Sequence, residues 1–312
     1  MKKFRKIILA GGSGFIGTAI VSHFRDLAEE IILLSRSPKE PKGNVRTLVW
    51  DGRTAGSWRS ELEGAEILVN LTGKTINCRH TEKNKEEIIS SRINSVKALA
   101  DAVKQCKTPP SLWIQLSSAA IYKHIETRPC AEEETEYGNG FMQMVCRQWE
   151  DAFNEEAGTI AGMRRIVLRM TLALGPNEGV FPRLKRLVKS GLGGKQGNGR
   201  QMVSWVHEQD IALIVEWLAL HTQIDGPVNC SSPGPLSNND FMATMRRALR
   251  MPVGFPSPAW LLKIGAAVIG TEADLVLKGM WAVPAKLQRG GYQFRFPRLA
   301  ETVENISAQK AG

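Results

Sequence analysis

The residues most suited to chemistry stand near the start, where a short apolar run meets spaced glycines: Ile7-Ile8-Leu9-Ala10-Gly11-Gly12-Ser13-Gly14-Phe15-Ile16-Gly17. Gly11 suits a tight turn, Gly14 lets phosphates approach bare backbone, and Gly17 lets the next helix lie close to the strand. A helix starting there offers free N–H groups and positive dipole charge to an anion. The pattern implies a dinucleotide cofactor gripped by Gly11, Ser13, Gly14, Phe15, Ile16 and Gly17. A second candidate group is Ser35-Arg36, with Lys39 close behind, after the apolar run Ile31-Ile32-Leu33-Leu34. A carboxylate at that point accepts bonds from a ribose 2′-hydroxyl, whereas an arginine accommodates a 2′-phosphate, so NADP(H) fits better than NAD(H).

Further along, Asp51 is open to two readings, a partner for an adenine amino group or a solvated turn residue. The small residues of Asn70-Leu71-Thr72-Gly73 let backbone pass beside a cofactor, and would also suit an ordinary turn. Ser117-Ser118-Ala119-Ala120-Ile121-Tyr122 puts a serine hydroxyl where it can hold a substrate carbonyl or alcohol.

These groups need a scaffold that gathers them at one edge. Apolar runs at 6–10, 31–35, 45–50, 67–71, 112–117 and 164–169 read as strands, with helical patterns at 15–28, 82–106 and 141–157. The alternation predicts a doubly wound α/β fold of Rossmann type, a parallel sheet covered on both faces, with ligands beyond the carboxyl ends of its strands. We place the NADP-binding domain at 1–175 and a smaller C-terminal lobe on the substrate side at 176–312, some of whose elements return to the first domain. In that lobe, the glycine-rich stretch 191–200, with Lys195 and Arg200, lacks the ending of an ATP-binding loop. It reads either as a mobile flap over the substrate pocket or as a plain hairpin-like connection.

The chain has 312 residues, 43% hydrophobic and 23% charged, which excludes disorder. Its formal charge of +10 is spread along the sequence without a long basic block or a nucleic-acid signature, so anionic cofactors or substrates are expected, and nucleic acid is not. The five cysteines form no CxxC pair and read as free thiols of a cytoplasmic protein. The basic start is followed by too short an apolar run for an export signal, and Leu261 to Gly270 is too short to span a bilayer. No membrane partner is expected, and no metal.

GGSGFIG and SSAAIY together resemble the extended, epimerase-like branch of the short-chain dehydrogenase/reductase superfamily. The likeness narrows to the family labelled epimerase family protein, short-chain family 39U. It is carried by Ser35-Arg36, NLTG at 70–73, the run from Arg79 through Ser91-Arg92, FMQMVCRQWE at 141–150 and LRMTLALG at 168–175. Also similar are GLGGKQGNGRQMVSWVHEQD at 191–210 and the tail with Pro284, Gly291-Tyr292 and Phe294. The resemblance implies NADP contacts at Ser35, Arg36, Leu71, Thr72, Glu87, Arg92 and Ala173, and puts Ser118 in the place of the catalytic serine. A guanidinium at Arg92 suits pyrophosphate oxygens. Glu87 suits ribose hydroxyls or the orientation of a basic neighbour, and a plain surface ion pair on a long helix is the alternative.

Reductases of this superfamily use a YxxxK dyad, in which the lysine lowers the tyrosine pKa from about 10 toward working pH. None of Tyr122, Tyr137 and Tyr292 is followed four residues later by lysine, and the alignment leaves Met142 and Cys146 in the two places. Tyr122 is the best substitute acid, with a structural aromatic as the alternative reading. His124, Cys146 and His207 stand behind it, and His207 reads as a helix cap at the domain junction. Two functions stay open: an NADP(H)-dependent oxidoreductase or epimerase-like enzyme without the usual dyad, and an NADP(H)-binding regulatory protein without catalysis, because some relatives carry a cell-division-inhibitor label.

Overall fold

The computed structural model describes residues 3–269 and 277–309; Gly270, the end of the apolar run noted above, lies outside them. Six strands lead the fold: β1 (Phe4–Ala10), β2 (Ala28–Ser35), β3 (Val45–Val49), β4 (Ile67–Asn70), β5 (Leu112–Ser118) and β6 (Arg164–Met170). Short strands β7 (Leu172–Leu174), β8 (Met202–Val203) and β9 (Trp205–His207) follow, before β10 (Gly226–Cys230) returns to the sheet beside β6. The order across the seven strands is β10-β6-β5-β4-β1-β2-β3, all parallel. The chain therefore reverses direction across the sheet at β1, between β2 and β4, where a doubly wound sheet opens its binding crevice.

Period-two alternation feeds two cores. Ile7, Leu9, Ile31 and Leu33 face α1 (Phe15–Phe24) and α5 (Glu208–Leu220), whereas Ile8, Ala10, Ile32 and Leu34 face α2 (Glu82–Val103) and α3 (Phe141–Gly158). The smaller lobe has its own apolar cluster from α4 (Phe181–Leu187), α6 (Asn238–Ala248) and the last helix, Leu299–Ala308. The first helix stops at Phe24 instead of running to 28, because β2 takes up the chain at Ala28. Between Met202 and His207 the chain forms two short strands instead of one: Ser204 turns its hydroxyl to Ala282 and bonds it in both directions, 2.9 Å each way.

The start of α5 joins sheet and tail. His207 caps the helix, its Nδ1 accepting from the Gln209 N–H at 3.0 Å, so Nε2 carries the proton and donates to Asn305 at 3.1 Å. Its ring is buried and stacks on Phe296 at 3.9 Å. Three residues on, buried Asp210 accepts from the backbone N–H groups of Arg295 and Phe296, at 2.9 and 3.0 Å, and from the Tyr292 hydroxyl.

Burial pushes the His207 pKa down to about 4 from 6.5. The unfolded chain then takes up a proton that the native state refuses, so this contribution is complete above pH 6.5 and is lost as pH falls toward 4. The loss should reach about 3 kcal/mol. Urea titrations across this window, wild type against His207→Asn, should show the wild type losing that much more stability. Parallel slopes would remove the assignment.

Candidate functional site

The groups singled out in the sequence converge on the carboxyl edge of β1, β2, β4 and β5. The turn after β1 needs Gly11 at φ +74°, and a Cβ there would stand 2.9 Å from Thr72 Oγ1. Gly17 presses α1 onto the turn, so a Cβ on it would run into the Gly12 carbonyl. Gly14 differs from both. It has ordinary extended backbone, nothing lies within 4 Å of where its Cβ would be, and it caps α1 without any side-chain partner. No acidic residue occupies the first turn of that helix. The result is a row of free N–H groups facing open space, the arrangement that receives an anion.

Around this turn stand the other candidates. Ser35, buried at the end of β2, bonds Ser13 hydroxyl to hydroxyl at 3.3 Å, and Arg36 beyond it is exposed with no ion pair among the described residues. The Phe15 ring packs against Gly175 and Gly179, just beyond Ala173 on β7, while Ile16 packs onto the core under the same helix. Gly52, at φ +86°, turns the loop after β3 toward the Thr72 methyl. The neighbouring Asp51 carboxylate is occupied by its own turn, accepting from the Arg53 and Thr54 N–H groups at 2.9 and 2.8 Å, which hold its pKa down at about 2.

At the end of β4, Asn70 is fully buried. It donates to Ser95 and Gln115 and accepts from the Thr72 N–H at 3.1 Å, fixing the Leu71-Thr72-Gly73 turn. The Thr72 hydroxyl is buried beside Gly11 with no hydrogen-bond partner among the described residues. Such an orphan is costly unless a ligand completes it. Gly73 leaves room for Arg92, whose guanidinium lies over the Trp149 ring at 4.9 Å and donates to the carbonyls of Lys74 and Ile88. Arg92 has no carboxylate partner among the described residues, and burial lowers its pKa. Glu87 pairs with Lys74, a basic neighbour, and not with Arg92.

On the substrate side, Ser118 ends β5 and its Oγ accepts from the Ala120 N–H at 3.1 Å. Cys146 lies buried beside it, its thiol pushed up to about 12 by burial, which keeps it protonated. Tyr122 is buried, donating to Asn229 at 2.8 Å and accepting from Arg169 at 2.9 Å, and burial pushes its pKa up to about 12. His124 is half exposed and bonds the Gly279 carbonyl, and His207 is committed to its cap. The 191–200 stretch is neither free flap nor hairpin: Gly194 and Gly197 donate to Phe255 and Ser257, which pins it to the 254–257 segment.

Sequence reasoning missed the polar network beneath this site. Arg169 grips Glu150 through both carboxylate oxygens, at 3.0 and 2.8 Å, and donates to Tyr122 and Tyr137. Ser117 donates to the same Glu150, and Asn229 on β10 donates onward to Val283 and, through its backbone N–H, to buried Glu132. The available signal was a charged residue inside the apolar run Ile166-Val167-Leu168-Arg169-Met170.

Comparison with known proteins agrees with this architecture. The profile of the NAD dependent epimerase/dehydratase family matches residues 7–230, and a domain of unknown function, DUF1731, matches 257–306. The chain is 28% identical over 305 residues to the epimerase family protein YfhF of Bacillus subtilis, covering 97% of this chain and 98% of that protein. It is also similar to the crystal structure of human epimerase family protein SDR39U1 (isoform 2) with NADPH, at 27% identity and TM-score 0.85, covering 97% and 99% of the two chains. A nucleoside-diphosphate sugar epimerase of Corynebacterium glutamicum is 28% identical with TM-score 0.76, the match covering 96% of this chain and 57% of that one. With a parallel sheet that turns at β1 and a family profile spanning most of the chain, the protein belongs to the NAD dependent epimerase/dehydratase family.

Proposed function

We propose that this protein is an NADP(H)-dependent enzyme of the extended short-chain type, an oxidoreductase or epimerase acting on a small polar substrate held near Ser118. The observation that carries the reading is the open Gly14 cradle, a helix N-terminus without internal partner beside the orphaned Thr72 hydroxyl. The NADPH in the human relative's structure supports it. In this reading Gly11, Ser13, Gly14, Phe15, Ile16 and Gly17 receive the pyrophosphate. Ser35 and the free Arg36 take the 2′-phosphate, Asp51 borders the adenine, and Leu71, Thr72 and Gly73 pass beside the sugars. Arg92 supplies charge from below, Glu87 acts through Lys74, and Ala173 closes the far wall. When bound, the nicotinamide supplies or accepts a hydride at C4.

The chain's own part is to hold the substrate oxygen at Ser118 and to exclude water behind the packed 119–122 turn. Tyr122 is assigned to structure: its hydroxyl is spoken for at both ends, and its pKa moves away from working pH. Tyr122→Phe should cost about 1–3 kcal/mol by stranding Asn229 and Arg169, while NADPH affinity and any turnover stay as in the wild type. Lost turnover in a folded variant would return Tyr122 to the role of acid.

Calorimetric titration with both cofactors tests the central claim, with tighter binding expected for NADPH. Arg36→Asp should weaken NADPH by roughly 30-fold or more, an effect of about 2 kcal/mol from lost charge-assisted bonds, and leave NADH little changed. An unchanged preference would place the 2′-phosphate elsewhere. A regulatory NADP(H)-binding role is the second reading, favoured by Met142 and the protonated Cys146 at the dyad positions. Tight NADPH binding without cofactor oxidation across a panel of sugar-like carbonyl compounds would select it.

A further inference from the structure

The basic residues are spread along the sequence, but the charge that remains unbalanced is not. Residues 179–207 hold six Lys and Arg, and 241–269 hold four more, Arg246, Arg247, Arg250 and Lys263, and neither segment contains an acidic residue. These ten equal the chain's formal net charge of +10, so the rest of the molecule balances to zero. None of the ten forms an ion pair with the described residues, and eight of them are exposed.

The fold zips the two segments together. Gly194 and Gly197 donate to Phe255 and Ser257, which in turn donate to Gly191 and Lys195, and Arg246 reaches across Gly254 to the Gly193 carbonyl. The same corner carries six of the nine exposed large apolar side chains among the described residues: Leu192, Val253, Phe255, Trp260, Leu261 and Ile264. Phe255 and Trp260 are 63% and 64% exposed. Trp260 and Ile264, four apart on the helix Ala259–Ile269, share one face, with Lys263 exposed beside them.

We propose that this corner is a peripheral membrane-docking face for anionic phospholipid. Aromatic and branched apolar side chains ringed by unpaired cations match an interface of acyl chains beneath negative headgroups. A second copy of the chain is a poor occupant, because like faces would bring ten unpaired cations against ten. The proposal departs from the expectation of no membrane partner, which rested on the lack of a spanning run; no helix among the described residues is long and apolar enough to cross a bilayer.

The test is cosedimentation of the full chain with vesicles of phosphatidylcholine alone or mixed with phosphatidylglycerol. Binding should be at least tenfold stronger to the mixed vesicles. It should fall steeply between about 0.1 and 1 M salt, as the Debye length shrinks from about 10 to about 3 Å. Trp260→Ser/Ile264→Ser should weaken it by a further tenfold or more, and Lys189→Glu/Arg247→Glu by roughly fivefold per residue. NADPH titration of each variant reports folding independently of lipid. Equal binding to neutral vesicles, or no binding by protein that still takes up NADPH, would overturn the proposal. So would self-association in sedimentation equilibrium that the same variants abolish.

Discussion

Gly14→Val should fold normally and bind almost no cofactor, whereas Gly17→Ala should fail to fold stably. The two glycines belong to one motif, three residues apart, but do different physical work. Gly14 sits at φ −88° and ψ −176°, a conformation open to any residue, with no atom near its missing Cβ. A valine there meets no clash, although it ranks well below glycine at a helix N-cap and should cost about 1 kcal/mol, too little to unfold the protein. Its methyls fill the space left for phosphate, so NADPH should weaken at least ~100-fold, about 2.7 kcal/mol. Gly17 faces the Gly12 carbonyl so closely that a single methyl group must displace backbone, and backbone of the binding turn itself. That overlap has no flexible partner to give way, and should cost about 3 kcal/mol or more. Urea unfolding and NADPH titration of both variants check the contrast. A Gly14→Val protein with wild-type affinity would remove the cradle from the binding reading.

The same contrast shows what could be read from the sequence. Strand-to-helix alternation and the glycine spacing are local signals, and they placed β1, α1 and the order of elements through β6. Arg36 drew notice as a cation after a strand end, and Arg92 through the family resemblance; the cofactor titrations decide whether either meets NADPH. What was not legible depends on distant chain. Glu87 turns to Lys74 and not to Arg92 because the loop after β4 carries Lys74 back over α2. Tyr122 lies four residues from the end of β5, but its partners come from β6 and β10, 47 and 107 positions away. Neither spacing nor periodicity reports such meetings. The lone arginine within an apolar strand was the visible trace of one.

That arginine gives the other large effect expected. Arg169→Ala should destabilise the protein by about 3–5 kcal/mol, a large part of the 5–15 kcal/mol by which domains are stable. The loss exceeds the worth of its bonds because of what it leaves behind: a buried Glu150 carboxylate with only Ser117, and the Tyr122 and Tyr137 hydroxyls each short of a donor. Arg169→Lys should recover little, because one ammonium cannot span both oxygens of Glu150 while serving two tyrosines. Arg169→Met with Glu150→Leu should recover most of the loss, since the pair then disappears together and its desolvation cost goes with it. Urea unfolding of the two single variants and the double should therefore give a coupling of at least about 2 kcal/mol, and additive losses would mean the two groups do not act as a pair. The network also sets what the site can do. It ties β5, β6, β10 and α3 to the 119–122 turn that follows Ser118, using the Tyr122 hydroxyl as a structural bond. With Tyr122 structural, as proposed above, a double variant that stays folded should keep whatever turnover the wild type has, and lost turnover would return the network to the chemistry.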